Sequence, residues 1–202
     1  EAALPESGLA TMLTISGQPT ATIRFSDQLR PGAAEMIRDL LALGIDATIL
    51  SGDRAAAVAP VAHELGLTAQ TAMLPEDKLA TIARLSGAGA KVLMVGDGLN
   101  DGPALAAGHV SMAPASASDA GQNAADAVFL GDGLAPIATA IRVARATRRV
   151  VRQNFILAIG YNAIAVPLAI MGVVTPLIAA LAMSGSSLVV VANALRLRGA
   201  AQ

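Results

Sequence analysis

The stretch VLMVGDGLND at residues 92–101 decides the fold class of this chain. Its first four residues are apolar and indicate a short buried strand, and two carboxylates and two glycines follow that strand directly. Upstream, a strand at 47–50 precedes a helix from about 53 to 65, and a further helix follows Pro75. Strands that alternate with helices predict an α/β fold, in which right-handed crossovers place helices against a parallel sheet.

Two more elements precede this region. Apolar and polar residues alternate over 10–16 and 20–25, which predicts a β-hairpin around Gly17-Gln18. After Pro31-Gly32, helical spacing predicts a helix that ends at Gly44 and has its apolar positions at Met36, Ile37, Leu40 and Leu41. Pro60 lies inside the helix of 53–65, where it is expected to kink the helix or delay its start.

Charge divides the chain into two segments. All 15 acidic residues and seven of the 14 basic residues lie in 1–132, whereas 133–202 hold the other seven basic residues and no acid. From Gln153 to Leu195 there are 43 consecutive residues without an Asp, Glu, Lys, Arg or His. Because a soluble helix shows charge on some face, this stretch belongs in a lipid bilayer. A hydrophobic fraction of 54% and the absence of cysteine exclude disordered, collagen-like and disulfide-stapled proteins.

Gly172, Thr175 and Pro176 interrupt the apolar stretch and predict two membrane spans, near 153–171 and 176–195. A basic helix at 141–152 precedes the first span. Arginines flank both ends of the hairpin, at positions Arg142, Arg145, Arg148, Arg149, Arg152, Arg196 and Arg198. Positive-inside bias then places both ends in the cytoplasm, in a multi-pass protein of the cell (inner) membrane. A pair of buried soluble helices is the alternative.

Polar residues at the strand ends indicate a phosphate site, because ligands of parallel sheets collect at the carboxyl ends of the strands. Ser51-Gly52-Asp53 offers a hydroxyl and backbone N–H groups to a phosphate. Asp97 and Asp101 offer the hard oxygen ligands that Mg²⁺ prefers, and Lys78 can neutralise a phosphoryl group. Each has a simpler interpretation: a helix N-cap for Ser51, an ordinary turn for 96–101 and a solvated side chain for Lys78. His63 and His109 are isolated, which indicates structural or solvated residues.

The run GDGLNDGPAL at 96–105 resembles the hinge motif of P-type ATPases, whose phosphorylation domain has the haloacid-dehalogenase fold. Ser51-Gly52-Asp53 resembles the threonine-glycine-aspartate motif of that family, Lys78 its phosphate-contacting lysine, and residues 27–31 its entry segment. The resemblance implies that Asp97 and Asp101 hold Mg²⁺ and that the catalytic residues are Ser51, Gly52, Asp53, Lys78 and Asn100.

The membrane spans resemble those of copper-transporting members, whose ion-binding residues match Tyr161, Asn162, Met183 and Ser187. Tyr161 lies about 13 Å along its helix from Arg152, and Ser187 lies about 14 Å from Arg196, so both reach a similar depth. Met183 and Ser187 share a helix face, and all four side chains are expected to converge between the spans. The Met183 thioether favours Cu(I) over hard cations. The alternative is that Met183 only packs and the serines bond to the backbone.

The family phosphorylates an aspartate in an aspartate-lysine-threonine-glycine run, which this sequence lacks, and it binds ATP in a domain that has no counterpart here. We therefore expect the C-terminal part of a longer pump, inactive alone, with the rest of the ATPase, membrane lipid and a copper chaperone as partners and no nucleic acid. The expected divisions are 1–26, 27–140, 141–152, 153–171 and 176–195. The alternatives are a membrane-anchored phosphatase, with Asp27 as its candidate nucleophile, and an inactive regulatory remnant.

Overall fold

The computed structural model describes residues 9–16, 20–25, 28–98 and 100–201. It divides into two compact units, Glu1–Ile137 and Ala138–Gln202, which are described separately below. Asp27, the candidate nucleophile of the phosphatase alternative, lies outside the described residues, as do Gly17 and Gln18 of the predicted turn and Leu99.

The first unit opens with the predicted hairpin. Strand β1 (Leu9–Leu13) pairs antiparallel with β2 (Ala21–Phe25), and Thr11 lies opposite Ile23. The alternating pattern of the sequence therefore gave the correct pairing and nearly the correct bounds.

Helix α1 (Ala33–Ala42) follows Gly32, whose φ of 75° suits a residue without a side chain. The helix ends at Ala42, two residues before Gly44 (φ 67°), and the Ile45 N–H donates to the Leu40 carbonyl at 2.9 Å. Its buried positions are Ala33, Met36, Ile37 and Leu40. Leu41, which the helical spacing placed on the apolar face, is 55% exposed, so that part of the prediction was wrong.

A parallel strand pair follows. β3 (Thr48–Leu50) is joined by α2 (Ala55–Leu65) to β4 (Thr68–Gln70), and Ile49 lies opposite Ala69. The helix begins at Ala55, two residues later than predicted, and continues through Pro60, whose position is exposed. Proline removes one backbone hydrogen bond there, and the remaining turns carry the helix to Gly66.

The next helix, α3 (Pro75–Gly87), precedes a second parallel sheet. This sheet has the order β5 (Leu93–Val95), β6 (Val110–Pro114) and β7 (Ala127–Phe129), with α4 (Gly102–Ala107) and α5 (Asp119–Ala124) as the connections. Its core is a cluster of buried side chains from α3, β5 and α4, namely Ile82, Met94, Ala104 and Leu105. In the described part of the chain, the expected parallel architecture is thus present as two separate sheets, β3-β4 and β5-β6-β7.

The second unit is a helical hairpin. Helix α6 (Ala135–Ile170) is continuous, so the predicted basic helix at 141–152 and the predicted span at 153–171 are parts of one helix that begins before the unit. It ends at Gly172 (φ 73°), and α7 (Pro176–Leu195) begins where the Thr175 hydroxyl accepts the Ile178 N–H at 3.3 Å. A 3₁₀ helix follows at Arg196–Ala201. By length and composition, both α-helices qualify as membrane spans.

Exposure along the hairpin follows helical spacing. Large apolar side chains such as Phe155, Ile159 and Leu188 are 64%, 67% and 72% exposed. Half-buried positions recur every three or four residues instead, on α6 at Asn154, Ala158, Tyr161 and Ala165, and on α7 at Ala182, Ser186, Val190 and Asn193. The two helices therefore pack through small and polar side chains and turn their large apolar side chains outward, as helices in lipid do.

Candidate functional site

Ser51 begins a tight turn at the carboxyl end of β3. Its hydroxyl accepts the Asp53 N–H at 3.1 Å and lies 3.2 Å from the Asp53 carboxylate, to which it donates. The turn is tied to the loop after β4, because the Met73 N–H donates to the Ser51 carbonyl at 3.0 Å. The residue at the N-cap position of α2 is Arg54, so the interpretation of Ser51 as the N-cap of that helix is wrong.

Gly52 lies where the two loops approach each other. A Cβ added to Gly52 would lie 3.3 Å from the Met73 carbonyl oxygen, closer than most such contacts. Gly52 and Asp53 are exposed and Ser51 is half-buried. The turn thus presents backbone and a hydroxyl to solvent at a strand end, the arrangement in which backbone N–H groups bind phosphate.

Lys78 forms an ion pair in the first turn of α3. The residue is 7% exposed, and its Nζ donates to the Asp101 Oδ1 at 2.6 Å. The two side chains are only 9% and 19% exposed, so the pair is held largely out of water. The interpretation of Lys78 as a solvated surface residue is therefore wrong. Loss of either partner would leave the other charge partly buried and unpaired, which is costly.

The turn after β5 packs closely against α5. The Asp97 carbonyl accepts the Ser118 N–H at 3.2 Å and lies 3.4 Å from the Ser118 hydroxyl. Gly98 has a φ of 79°, and a Cβ on it would overlap the Cα of Gly121. Both the backbone angle and the close approach therefore require glycine at 98.

Asp101 lies at the N-cap position of α4, and its carboxylate packs against the start of the same turn. A Cβ on Gly96 would lie 2.9 Å from the Asp101 Oδ2, so Gly96 leaves the space which that oxygen occupies. Asn100 is exposed between the two aspartates. The exposed His109 accepts the Val92 N–H through Nδ1 at 3.4 Å, in keeping with a structural role.

The carboxylates of this turn fit Mg²⁺. Mg²⁺ is usually held by one or two carboxylates, while phosphate and water oxygens complete the octahedron. Asp101 Oδ1 is engaged by Lys78 and Oδ2 remains for a cation, while the side chain of Asp97 is exposed. The described residues contain no group of three or more His, Cys, Asp or Glu arranged to hold a metal. When bound, the ion would neutralise charge on phosphoryl oxygens.

The candidate metal ligands of the hairpin do not converge between its two helices. Tyr161 is half-buried, but Asn162 and Ser187 are exposed and Met183 is 69% exposed. The Asn162 Nδ2 donates back to the Ala158 carbonyl of its own helix at 3.0 Å. The expectation that four donors meet within the hairpin is wrong, because three of them lie outside the half-buried interface.

Sequence reasoning missed two sets of contacts. Ser118 is readable as an N-cap before Asp119, but its second contact with Asp97, 21 residues away, has no local signal. Between α6 and α7, the Asn193 Nδ2 donates to Asn154 Oδ1 at 2.9 Å and to Gln153 Oε1 at 3.3 Å. Three amides in an otherwise apolar stretch were the available signal for this contact.

Residues 1–109 match the haloacid dehalogenase-like hydrolases, and the chain belongs to that family. Over 93% of its length it is 55% identical to the nitrogen fixation protein FixI of Rhizobium leguminosarum bv. viciae. It is 39% identical, over 94% of its length, to a copper-exporting P-type ATPase of Mycobacterium tuberculosis. It spans 25% of each relative, so it corresponds to about a quarter of their length.

A solved structure extends the likeness into the hairpin. The crystal structure of a zinc-transporting PIB-type ATPase in its E2.Pi state matches with a TM-score of 0.80 and 37% identity. The match covers 88% of this chain, more than the first unit alone, and 31% of that chain. Homology to heavy-metal P-type ATPases is therefore confirmed, and so is the haloacid-dehalogenase-like fold followed by two long apolar helices.

Proposed function

We propose that this chain is the C-terminal part of an ATP-driven heavy-metal transporter that exports Cu(I) through an aspartyl-phosphate intermediate. The observation that carries the proposal is the partly buried Lys78–Asp101 pair at the end of β5. The pair places a cation and a carboxylate together beside a glycine turn that also carries Asp97. Phosphoryl transfer requires both charges: a cation to neutralise the phosphoryl oxygens, and carboxylates for Mg²⁺.

In this proposal each residue has a distinct role. Lys78 neutralises the phosphoryl group, and Asp97 and Asp101 hold Mg²⁺ against it. Ser51, Gly52 and Asp53 bind phosphoryl oxygens through the hydroxyl and the backbone, and Asn100 stabilises the turn between the aspartates.

The phosphoacceptor aspartate would come from the rest of the pump. Among the described residues, β3 pairs with β4 alone and β5 with β6 alone, so each keeps an edge without a strand partner. A parallel strand added between β3 and β5 would join the two sheets into one. Its carboxyl end would lie between Ser51 and Asp97, which is where a phosphoacceptor is needed. The isolated chain, without such a strand, is then inactive.

The hairpin would supply part of the metal path. The exposed donors Met183, Ser187 and Asn162 would face transmembrane helices of the remaining pump rather than α6 or α7. The Met183 thioether supports Cu(I), a soft cation, as the cargo. Arginines at both ends of the hairpin support cytoplasmic ends. A likeness that continues past the hydrolase unit favours the pump over a free-standing phosphatase.

A chimera tests the proposal. This chain would replace the matching quarter of the copper-exporting P-type ATPase of M. tuberculosis, which it resembles over 94% of its length. We expect the chimera to form an acid-stable phosphoenzyme from ATP and Mg²⁺. The Asp97→Asn variant should lose that phosphoenzyme and keep ATP binding, because the nucleotide site lies elsewhere.

Asp132→Asn is the matched control, since it removes one exposed carboxylate outside the turn and should leave phosphorylation unchanged. Normal phosphorylation of the Asp97→Asn chimera would exclude Asp97 from the site. An inserted chimera that takes up no phosphate at all would refute the proposed function.

A further inference from the structure

A groove of about 360 Å³ lies on the helical hairpin, next to the start of the terminal 3₁₀ helix. The residues that line it come from the middle of α6, the last two turns of α7 and the first position of the 3₁₀ helix: Gln153, Ile156, Leu157, Val189, Asn193 and Arg196. Ile156, Leu157 and Val189 are 60%, 45% and 52% exposed. Along the helices, these aliphatic side chains lie one to two turns deeper than the polar ones. The groove is therefore amphipathic along its length.

A network of amides forms the polar end. The Asn193 Nδ2 donates to Asn154 Oδ1 and Gln153 Oε1, so side-chain amides of α7 and α6 hydrogen-bond to each other. The Asn193 Oδ1 accepts from the Arg196 Nη1 at 3.4 Å. The amide network thus orients the guanidinium at the mouth of the groove through one of its five N–H groups. The planar guanidinium has further N–H groups for a phosphate, which it binds well.

The surrounding charge is of one sign. Arg152 precedes Ile156 by four residues and Arg149 precedes Gln153 by four, so helical spacing places both arginines on the sides of α6 that lead into the groove. No acidic residue occurs in 133–202. A ligand that matches both ends of the groove must carry a negative headgroup and an aliphatic chain.

We propose that this groove binds an anionic phospholipid, with its phosphate on Arg196 and an acyl chain along Ile156, Leu157 and Val189. Free phosphate would gain nothing from the aliphatic walls, whereas a lipid gains from both parts. The inference requires α6 and α7 to lie in a membrane, and it adds a lipid site to the proposed function.

The test uses a fluorescent reporter, because the chain contains no tryptophan. Gly160→Trp places one on the groove side of α6, one turn beyond Ile156 and Leu157, at an exposed position where an added Cβ meets nothing within 4 Å. Leu177→Trp places one at the opposite end of α7. Each variant would be inserted into phosphatidylcholine vesicles with a minor fraction of phosphatidylglycerol, with bromine, a fluorescence quencher, on the acyl chains of one lipid at a time. We expect brominated phosphatidylglycerol to quench the reporter at 160 beyond its bulk fraction, and the reporter at 177 in proportion to it.

Arg196→Gln, made in the Gly160→Trp background, should lower the preference for phosphatidylglycerol about fivefold, the contribution of one arginine near an anionic surface. Arg198→Gln is the matched control, because it removes the same charge from the same segment but does not line the groove. Arg196→Lys should keep most of the preference. Circular dichroism of each variant verifies that the helices are formed.

Three results would overturn the inference. Equal losses in Arg196→Gln and Arg198→Gln would show diffuse attraction instead of a site. Quenching of both reporters in proportion to bulk lipid would contradict the lipid site and leave the membrane hairpin of the proposed function intact. Absence of quenching at both reporters would refute membrane insertion and the lipid site together.

Discussion

At the scale of single residues, the partly buried Lys78–Asp101 pair links the stability of the chain to its proposed chemistry. Lys78→Met removes the ammonium and leaves the Asp101 carboxylate at 19% exposure without its partner. We expect a loss of about 1–3 kcal/mol in the free energy of unfolding, below the range for fully buried pairs. Urea unfolding of the chain in detergent, followed by circular dichroism, measures it.

The double variant Lys78→Met/Asp101→Asn checks the cause of that loss. Because Asn leaves no orphan charge, the double variant should lose less stability than the sum of the two single losses. Strict additivity of the three measurements would mean that the 2.6 Å contact contributes nothing.

A comparison of Gly98 with Gly131 distinguishes the stability cost of backbone strain from the cost of steric overlap. Both have positive φ, at 79° and 90°, but only a Cβ on Gly98 would overlap a neighbour, the Cα of Gly121. Gly131→Ala should cost about 1 kcal/mol through its backbone angle alone. Gly98→Ala should cost more and, in the chimera, abolish phosphoenzyme formation, because the overlap displaces Asp97 from α5. Equal behaviour of the two variants in unfolding and phosphorylation would contradict this account.

At the scale of elements, the local pattern of apolar residues decided which parts of the fold could be predicted. The hairpin of β1 and β2 and helix α1 are long enough to show their period, and both were predicted near their observed bounds. Strands β3 and β5 have only three residues each but were predicted from an apolar run with a polar turn after it, whereas the equally short β4 has no such run. The strand pairing of β6 escaped prediction because Ser111 and Pro114 break its apolar pattern.

The candidate site also has residues that local sequence predicts and contacts that it does not predict. Asp97, Asp101 and Ser51 were found from their position after apolar strands, and that rule depends on local sequence alone. The Lys78–Asp101 contact spans 23 residues and the Ser118–Asp97 contact spans 21, so both depend on tertiary packing. The exposure of Met183 likewise depends on which faces of α6 and α7 are turned towards each other, and composition does not determine that orientation.

The hairpin gives a prediction about topology. The chain contains no cysteine, so Val173→Cys in the turn and Gly199→Cys after α7 each introduce a single thiol. Because arginines lie directly before the apolar stretch of α6 and directly after α7, a membrane-impermeant thiol reagent should label Val173→Cys in intact cells. Gly199→Cys should be labelled only after the cells are opened. The reverse pattern would contradict the assigned orientation and the metal path built on it.

At the scale of the whole molecule, we propose that this chain supplies the lysine, the magnesium ligands and two helices that complete a metal pump. Within the described ranges, β3 and β5 each keep an edge without a strand partner, and the hairpin exposes the Met183 thioether. In the proposed pump, a larger protein would cover both surfaces. The chain spans 25% of FixI and of the copper-exporting ATPase.

ATP-driven Cu(I) uptake into inside-out membrane vesicles tests this claim most directly. The compared proteins are the chimera, its Met183→Leu variant and the M. tuberculosis ATPase without the matching quarter. We expect uptake by the chimera and none by the shortened protein. Met183→Leu keeps side-chain volume but removes the soft donor, so it should lose most uptake while still accepting inorganic phosphate in the reverse reaction. A chimera that inserts and takes up no Cu(I), or a Met183→Leu variant with full uptake, would contradict the account.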